Sequence, residues 1–369
     1  MTFLESLTYK EKYFHKQSET ILRWELEGLK LRQFTLIAGL NTAGKTRTCN
    51  VIKNTLKKIV QPMKGLEVGE TDIVFKTSKN KTYRLIISIK ENKNLDRNIT
   101  AEELYQVYQQ EEKPLFDRTK LYDNRSRRDV EYTPPDDSLT FHARRDKKSY
   151  PYLEEIIEAS KRFHFLDFRR PRAEITKHPL PEGRLPNEFD SSLTPLLFEE
   201  LVDDKKKGVI LSDLESLGYF IKNISVKSIQ VEEFKVPLIF FDEEGVGGIY
   251  DYTQASEGMV KVIFLIVALN LIEKGSCLLI DNIGDGLDYK RSMDIVPILE
   301  KASEDKQIIL CTNNEILLNQ TDIRNWNILY REGYKVKAFN YENNRDQLLK
   351  FSETGLSNYE YFKSEYFLK

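Results

Sequence analysis

The stretch Gly39-Leu40-Asn41-Thr42-Ala43-Gly44-Lys45-Thr46 has the spacing of a phosphate-binding loop, a glycine and four residues followed by Gly-Lys-Thr. An apolar, strand-like run at 31–38 precedes it, and Cys49, Ile52, Leu56 and Ile59 follow at helical spacing. This feature constrains the fold more than any other. A strand must end and a helix must begin within a few residues, so that backbone N–H groups and the helix dipole converge on an anion. The chain is therefore expected to be α/β. Gly39, Asn41, Thr42, Ala43, Gly44 and Arg47 are expected to line the cradle. Lys45 is expected to reach the β- and γ-phosphates, and the Thr46 hydroxyl to hold Mg²⁺.

The flanking sequence extends this expectation. Residues 21–26 and 31–38, separated by Gly28, read as strands, and 73–75 and 83–89 as a hairpin turning at 78–81. That hairpin predicts a small antiparallel arm. The charged stretch 123–137, closed by Pro134 and Pro135, reads as a loop, 152–159 as a helix leading to a strand at 163–168, and 188–224 as mostly helical. The last third is more regular. A hairpin at 236–241 and 249–252 precedes a long apolar helix from Gly258, then a strand at 277–280, a helix at 291–299, a strand at 307–311 and a hairpin at 327–330 and 335–339. Such alternation implies a mainly parallel sheet covered on both faces.

Length and composition set the limits. The 369 residues suit one composite unit, with a phosphate-loop lobe and β arm at 1–100, a mainly helical insertion at 101–225 and a third lobe with a C-terminal tail at 226–369. A formal net charge of -2 leaves any nucleic-acid contact to a local patch. Cys49, Cys277 and Cys311 lack metal-ligand spacing and suit buried thiols of a reducing cytoplasm. Residues 1–30 show no signal core. The run 259–272 is too short to span a bilayer and includes Lys261 and Asn270, so no membrane partner is expected.

The apolar run Cys277-Leu278-Leu279-Ile280 ends in Asp281, a carboxylate expected to hold Mg²⁺ through water next to Thr46 on the adjoining strand end. From Asp281 through Asn282, Asp285 and Gly286 to Leu287 and Asp288, the sequence resembles the segment of ABC-type ATPases that leads to a dimer-contacting Leu-Asp pair. Ala255-Ser256-Glu257-Gly258 resembles a reduced ABC signature at a helix start, and 307–314 occupies the place of the strand and switch residue. The order of parts is similar to that of SMC, RecF and OLD-type heads, above all small stand-alone bacterial ATPases of repair and antiphage defence. Heptads long enough for a coiled coil are absent. The resemblance implies a P-loop ABC-type head that binds ATP and Mg²⁺. It also implies a homodimer in which Ser256, Glu257 and Gly258 of one copy meet the triphosphate held by Lys45 of the other, with higher assembly open. Its partner would be an effector protein, a nuclease or toxin, with DNA as a further candidate.

Two positions depart from that pattern. The residue after the magnesium aspartate is Asn282 rather than glutamate, and the switch histidine is Asn313. An amide orients water but accepts no proton at neutral pH. Lys45, Asp281, Asn282 and Asn313 are thus the expected catalytic set, with slow turnover; Asp285 is an alternative carboxylate. Ser256 also suits a helix cap. Arg169, Arg170 and Arg172, with Lys161, Arg162 and Lys177, form a basic cluster that reads as a backbone contact to nucleic acid, as a source of an arginine reaching into the nucleotide site, or as a solvated face. Trp24 and Tyr13 are candidates for adenine stacking or for the core. Gln106, Gln109 and Gln110 are equal candidates for a magnesium-sensing glutamine. Tyr359, Phe362 and Phe367 read as a tail docked on the head.

Overall fold

The computed structural model describes residues 3–15, 20–62, 67–91, 96–109, 111–167, 188–189, 194–231, 234–351 and 353–368. The chain opens with strands β1 (Phe3–His15), β2 (Thr20–Lys30) and β3 (Phe34–Gly39), and helix α1 (Lys45–Val60) follows the glycine-bearing loop. Strands β4 (Gly69–Lys76), β5 (Thr82–Glu91), β6 (Arg97–Tyr108), β7 (Glu111–Phe116), β8 (Lys120–Asp123) and β9 (Arg128–Glu131) come next. Helices α2 (Thr140–Ala143) and α3 (Pro151–Lys161) lead to β10 (Phe163–Asp167) and the short β11 (Glu188–Phe189). Helices α4 (Thr194–Leu201) and α5 (Asp204–Ser216) precede β12 (Ile221–Val231), β13 (Phe234–Glu243) and β14 (Ile249–Asp251). Helix α6 (Glu257–Leu271), β15 (Cys277–Asp281), α7 (Tyr289–Ala302), β16 (Gln307–Cys311), α8 (Glu315–Gln320), β17 (Trp326–Glu332) and β18 (Lys335–Asn340) follow. Helices α9 (Arg345–Phe351) and α10 (Asn358–Lys363) close the chain.

Among the described residues, one sheet of fifteen strands runs in the order β11-β10-β15-β16-β3-β17-β18-β2-β1-β4-β5-β6-β7-β8-β9. From β11 to β17 all neighbours are parallel. From β2 to β9 all are antiparallel. The parallel core and antiparallel arm expected from the sequence are both present, and the arm is much larger than the expected hairpin.

The parallel strands divide their side chains between two layers, because successive residues point to opposite faces. Cys277 and Leu279 of β15, with Ile309 and Cys311 of β16, join one core cluster with α1, α3 and the arm. Leu278, Ile280, Ile308 and Leu310 join the other, beneath α6. This explains why α6 is apolar around its whole circumference. It lies between the sheet on one side and, on the other, α5 and the separate sheet β12-β13-β14. The tail expectation holds. Phe362 and Phe367 are buried with Leu36, Ala38, Trp326 and Phe339, and Tyr359 packs against them.

Three expectations need correction. The part of 101–225 read as helical is stranded over 97–131, and β12 replaces helix from Ile221 onward. The stretch 123–137 contains a hairpin. Asp123 accepts from Arg125 N at 2.8 Å and from Ser126 Oγ at 2.9 Å, while Arg127 takes a positive φ of 55°, so the turn is held by local side-chain bonds. Finally, β15 does not adjoin β3, because β16 lies between them.

Candidate functional site

Strand β3 is buried along its whole length and delivers the loop at its C-terminal end. Leu40, Asn41 and Thr42 are exposed there, while Ala43 turns inward. Ala43 N donates to Leu40 O at 3.0 Å, closing the turn, and Thr42 and Gly44 take positive φ values of 73° and 99°. Two glycines have steric reasons. A Cβ on Gly39 would lie 2.9 Å from Ala43 Cβ and 3.0 Å from Leu329 O, and one on Gly44 would lie 3.3 Å from the Trp24 ring. No side chain caps α1, so its first N–H groups face the loop's concavity.

Lys45 Nζ donates to Gly39 O at 2.6 Å, which curls the side chain over the loop. Burial lowers the pKa of this ammonium; the nearby charges of Cys311, Asp281, Asp285 and Cys49 oppose that shift. A partly desolvated lysine already facing carboxylates is suited to an anion bridged by a divalent cation. Thr46 is half-buried one position further along α1. Arg47 points elsewhere. It is exposed, paired with Glu11, and its guanidinium lies 4.7 Å over the Trp24 ring. Trp24 is in the core, where it contacts Tyr9 and braces the loop–helix junction.

Asp281 ends β15 fully buried. Its carboxylate and the Cys49 and Cys311 sulfurs lie within 4.8 Å of one another, so the side chain reaches past β16 toward α1. Asn282 follows in the left-handed region, with φ 59°, a conformation asparagine tolerates better than most residues. Its Nδ2 is buried without a hydrogen-bond partner. Across β16, Asn313 Nδ2 donates to Asn41 Oδ1 at 3.3 Å, joining the switch position to the phosphate loop. Thr312 Oγ1 donates to Ile283 O at 2.6 Å, and Asn314 Nδ2 donates to Gly284 O at 3.3 Å. The strand ends carrying Asp281, Asn313 and the loop are thus tied together by side-chain bonds. Sequence reading missed Thr312 and Asn314, whose roles depend on a loop thirty residues away in the chain.

Ser256 is exposed and caps α6, its Oγ accepting from Met259 N at 3.2 Å. The capping role is therefore present. Gly258 has a packing reason as well, since a Cβ there would lie 2.6 Å from Gly286 O. Lys261, buried one turn further, pairs with Glu257 at 2.8 Å and donates to Asp285 O at 2.7 Å. The start of α6 is locked to the loop after Asp281 by these contacts. In that loop Asp285 is exposed and Leu287 packs against the α6 layer. Asp288 caps α7 by accepting from Arg291 N at 2.9 Å.

The remaining candidates lie away from this constellation or outside the described residues. Arg169, Arg170, Arg172, Lys177 and Gln110 are outside them. Gln106 is on β6 of the arm, and Gln109 is in the turn that follows. No described helix is long and apolar enough to cross a membrane.

The loop residues, the uncapped α1 and the buried Asp281 thus lie together at the C-terminal ends of the parallel strands. No curated protein matches the chain. Similar solved structures include an SMC head domain from Thermotoga maritima, with a TM-score of 0.48, 12% identity, and coverage of 91% of this chain and 98% of that one. They also include an Smc head bound to the C-terminal winged-helix domain of ScpA, at 0.47 and 12%, covering 91% and 97%. An Smc head with an extended coiled coil from Pyrococcus furiosus, bound to the C-terminal domain of ScpA, matches at 0.44 and 13%, covering 95% and 100%. A family model described as "AAA domain, putative AbiEii toxin, Type IV TA system" matches residues 65–319, more than half of the sequence, and the chain belongs to that family of AAA domains.

Proposed function

We propose that the protein is a cytoplasmic ATPase that binds Mg²⁺-ATP at the loop Gly39–Thr46, closes as a homodimer around two nucleotides and turns over slowly. The observation that carries this reading is the convergence of an uncapped helix start, a curled Lys45 and a buried Asp281 at the ends of parallel strands β3 and β15, with β16 between them. Magnesium, held by Thr46 and Asp281, would supply charge neutralisation at the phosphates. Lys45 binds as a point charge. Asn41 and Asn313, already in contact, orient donors at the mouth of the loop. Asn282 has an N–H to spare for positioning water but no basic group to deprotonate it.

The dimer is inferred from Ser256, whose exposed hydroxyl caps the start of α6, a helix N-terminus whose dipole makes it a second place suited to phosphate oxygens. The link from this helix through Lys261 to Asp285 gives closure a route to the Asp281 loop. The family description, with its reference to a toxin and a toxin–antitoxin system, supports a role in bacterial defence in which the ATPase controls an effector. A second reading, a scaffold that holds ATP without hydrolysing it, is favoured by Asn282 and Asn313.

The test uses two variants, Lys45→Ala and Ser256→Ala. Each alone should abolish ATP-dependent dimerisation and turnover, and mixing them should restore part of both, because the mixed dimer rebuilds one composite site. Failure of the mixture to recover activity contradicts the shared site. Rapid phosphate release that Asn282→Ala leaves unchanged contradicts slow, Asn282-assisted turnover, and stable ATP-dependent dimers with no phosphate release support the scaffold.

A further inference from the structure

Cys49 and Cys311 are 262 positions apart in the chain, yet their sulfurs approach to 2.8 Å in the buried layer behind the phosphate loop. Both residues are fully buried. Cys49 lies one helical turn beyond Lys45 on α1, and Cys311 ends β16 two residues before Asn313. A covalent sulfur–sulfur bond is about 2.05 Å long, so joining the pair needs an approach of roughly 0.8 Å. Cys277 stands at the opposite end of strand β15, about 13 Å from Asp281 at the usual rise per residue, and has no such neighbour among the cysteines.

Two chemistries fit a pair of thiols beside a carboxylate, and distance separates them. Two thiolates on one tetrahedral zinc stand about 3.8 Å apart, given Zn–S bonds near 2.3 Å. The observed separation is a full ångström shorter. A structural zinc also takes four ligands, and among the described residues only Asp281 joins the pair as a ligand group.

We propose that Cys49 and Cys311 form a redox-responsive dithiol whose oxidation by a peroxide joins α1 to β16 and weakens nucleotide binding at the loop above. In the first step one cysteine sulfur attacks a peroxide oxygen. An S–O bond forms, the O–O bond breaks, and hydroxide leaves with the thiol proton as water. The second sulfur then attacks the sulfenic sulfur. The S–S bond forms, the S–O bond breaks, and a second water carries away the remaining proton. Two electrons pass from the sulfurs to one peroxide. Peroxide is close to water in size and reaches buried thiols through local opening.

The effect on binding rests on the nucleotide reading above. Drawing Cys49 toward β16 pulls the first turn of α1, which carries Lys45 and Thr46. The loop has little slack, because Ala43 and Leu329 already crowd Gly39 and Trp24 crowds Gly44. Sites of this kind tolerate displacements of only about 0.5 Å. Affinity should fall about tenfold, equal to about 1.4 kcal/mol.

The experiment treats the full chain with hydrogen peroxide or with a phosphine reductant. Alkylation and peptide mass spectrometry then follow, with titration of a fluorescent ATP analogue in parallel. The expected result is a Cys49–Cys311 linked peptide, about tenfold weaker analogue binding, and recovery of both on reduction. Cys277→Ser should behave as the parent does. Cys311→Ser should give no linked peptide and an affinity indifferent to peroxide. Sulfinic or unreacted Cys49 without linkage overturns the proposal, as does linkage with unchanged affinity or zinc retained one-to-one by the reduced protein. A reduced protein that binds no analogue refutes the nucleotide reading and the regulatory consequence, whereas the linked peptide is judged by the spectrum alone.

Discussion

Strands β3, β15 and β16 are buried at every position, while β4 and β5 alternate buried with half-exposed residues along most of their length. The first set is covered on both faces by helices and the second on one, as parallel and antiparallel sheets generally are. The difference bears on function. In the core, every strand end that carries a candidate catalytic group is fixed by two packed layers. In the arm, the pattern fixes one face and leaves a long solvated ribbon. The core can therefore hold groups to fractions of an ångström, and the arm is the part free to differ in length and partner.

That contrast is broken or sharpened most strongly by one change made in both places. Leu310→Ala and Leu85→Ala each remove a fully buried leucine, and each should cost about 2–5 kcal/mol. In β16 the loss should appear as a lower melting temperature together with lost nucleotide binding. In β5 hydrogen exchange should rise in the arm while ATP-analogue affinity stays within about twofold. Equal loss of affinity in both variants would show that arm and core unfold as one unit.

Lys45→Ala tests the core's chemistry without its packing. Losing one charge-assisted contact to phosphate should weaken ATP-analogue binding about 100-fold, equal to about 2.7 kcal/mol, with little change in melting temperature. Gly258→Ala probes the close approach of α6 to Gly286. The added methyl should cost about 1–3 kcal/mol by overpacking and slow phosphate release by shifting the loop after Asp281. A variant as stable and active as the parent would mean that the contact is dispensable.

The smallest effect belongs to the arm and depends on pH. Glu102 on β6 is fully buried; burial pushes its carboxyl up to about 7, against lowering bonds from Thr140 N and Oγ1 and the charge of Arg118. The native arm therefore binds more protons than the unfolded chain between about 4.5 and 7, so this group's stabilising contribution is present below about 4.5 and is lost as pH rises through about 7. Hydrogen exchange of β6 and α2 amides should accelerate from pH 5 to pH 8, and Glu102→Gln should flatten that dependence. An unchanged slope would assign it to other groups.

The two regions also differ in how far their sequence could be read. Strands β15 and β16 are short apolar runs between turn signals, and α6 is a helix apolar at every position from Met259 onward but Lys261 and Asn270, so their local patterns match their burial. Strand β6, with the sequence Arg97-Asn98-Ile99-Thr100-Ala101-Glu102, buries a glutamate where a pattern reader expects an apolar residue. It is a strand because β5 pairs along nearly its whole length. Likewise the charged stretch at 123–137 reads as a loop, and only the β8–β9 pairing shows that it holds a hairpin turn and its second strand. Cross-strand bonds supply there what local periodicity does not.

From sequence alone came the phosphate loop, the acidic strand end, the order of motifs and the replacement of two expected catalytic residues by asparagine. The first two follow from residue type and near-neighbour spacing, which fold locally, and the last two from the resemblance to ABC-type heads. The tertiary structure alone decided that β16 separates Asp281 from the loop, that Asn313 meets Asn41, that Lys261 ties α6 to Asp285, and that two cysteines 262 positions apart touch. Such contacts are set by the order and parallel direction of strands distant in the chain, and no local pattern encodes that order.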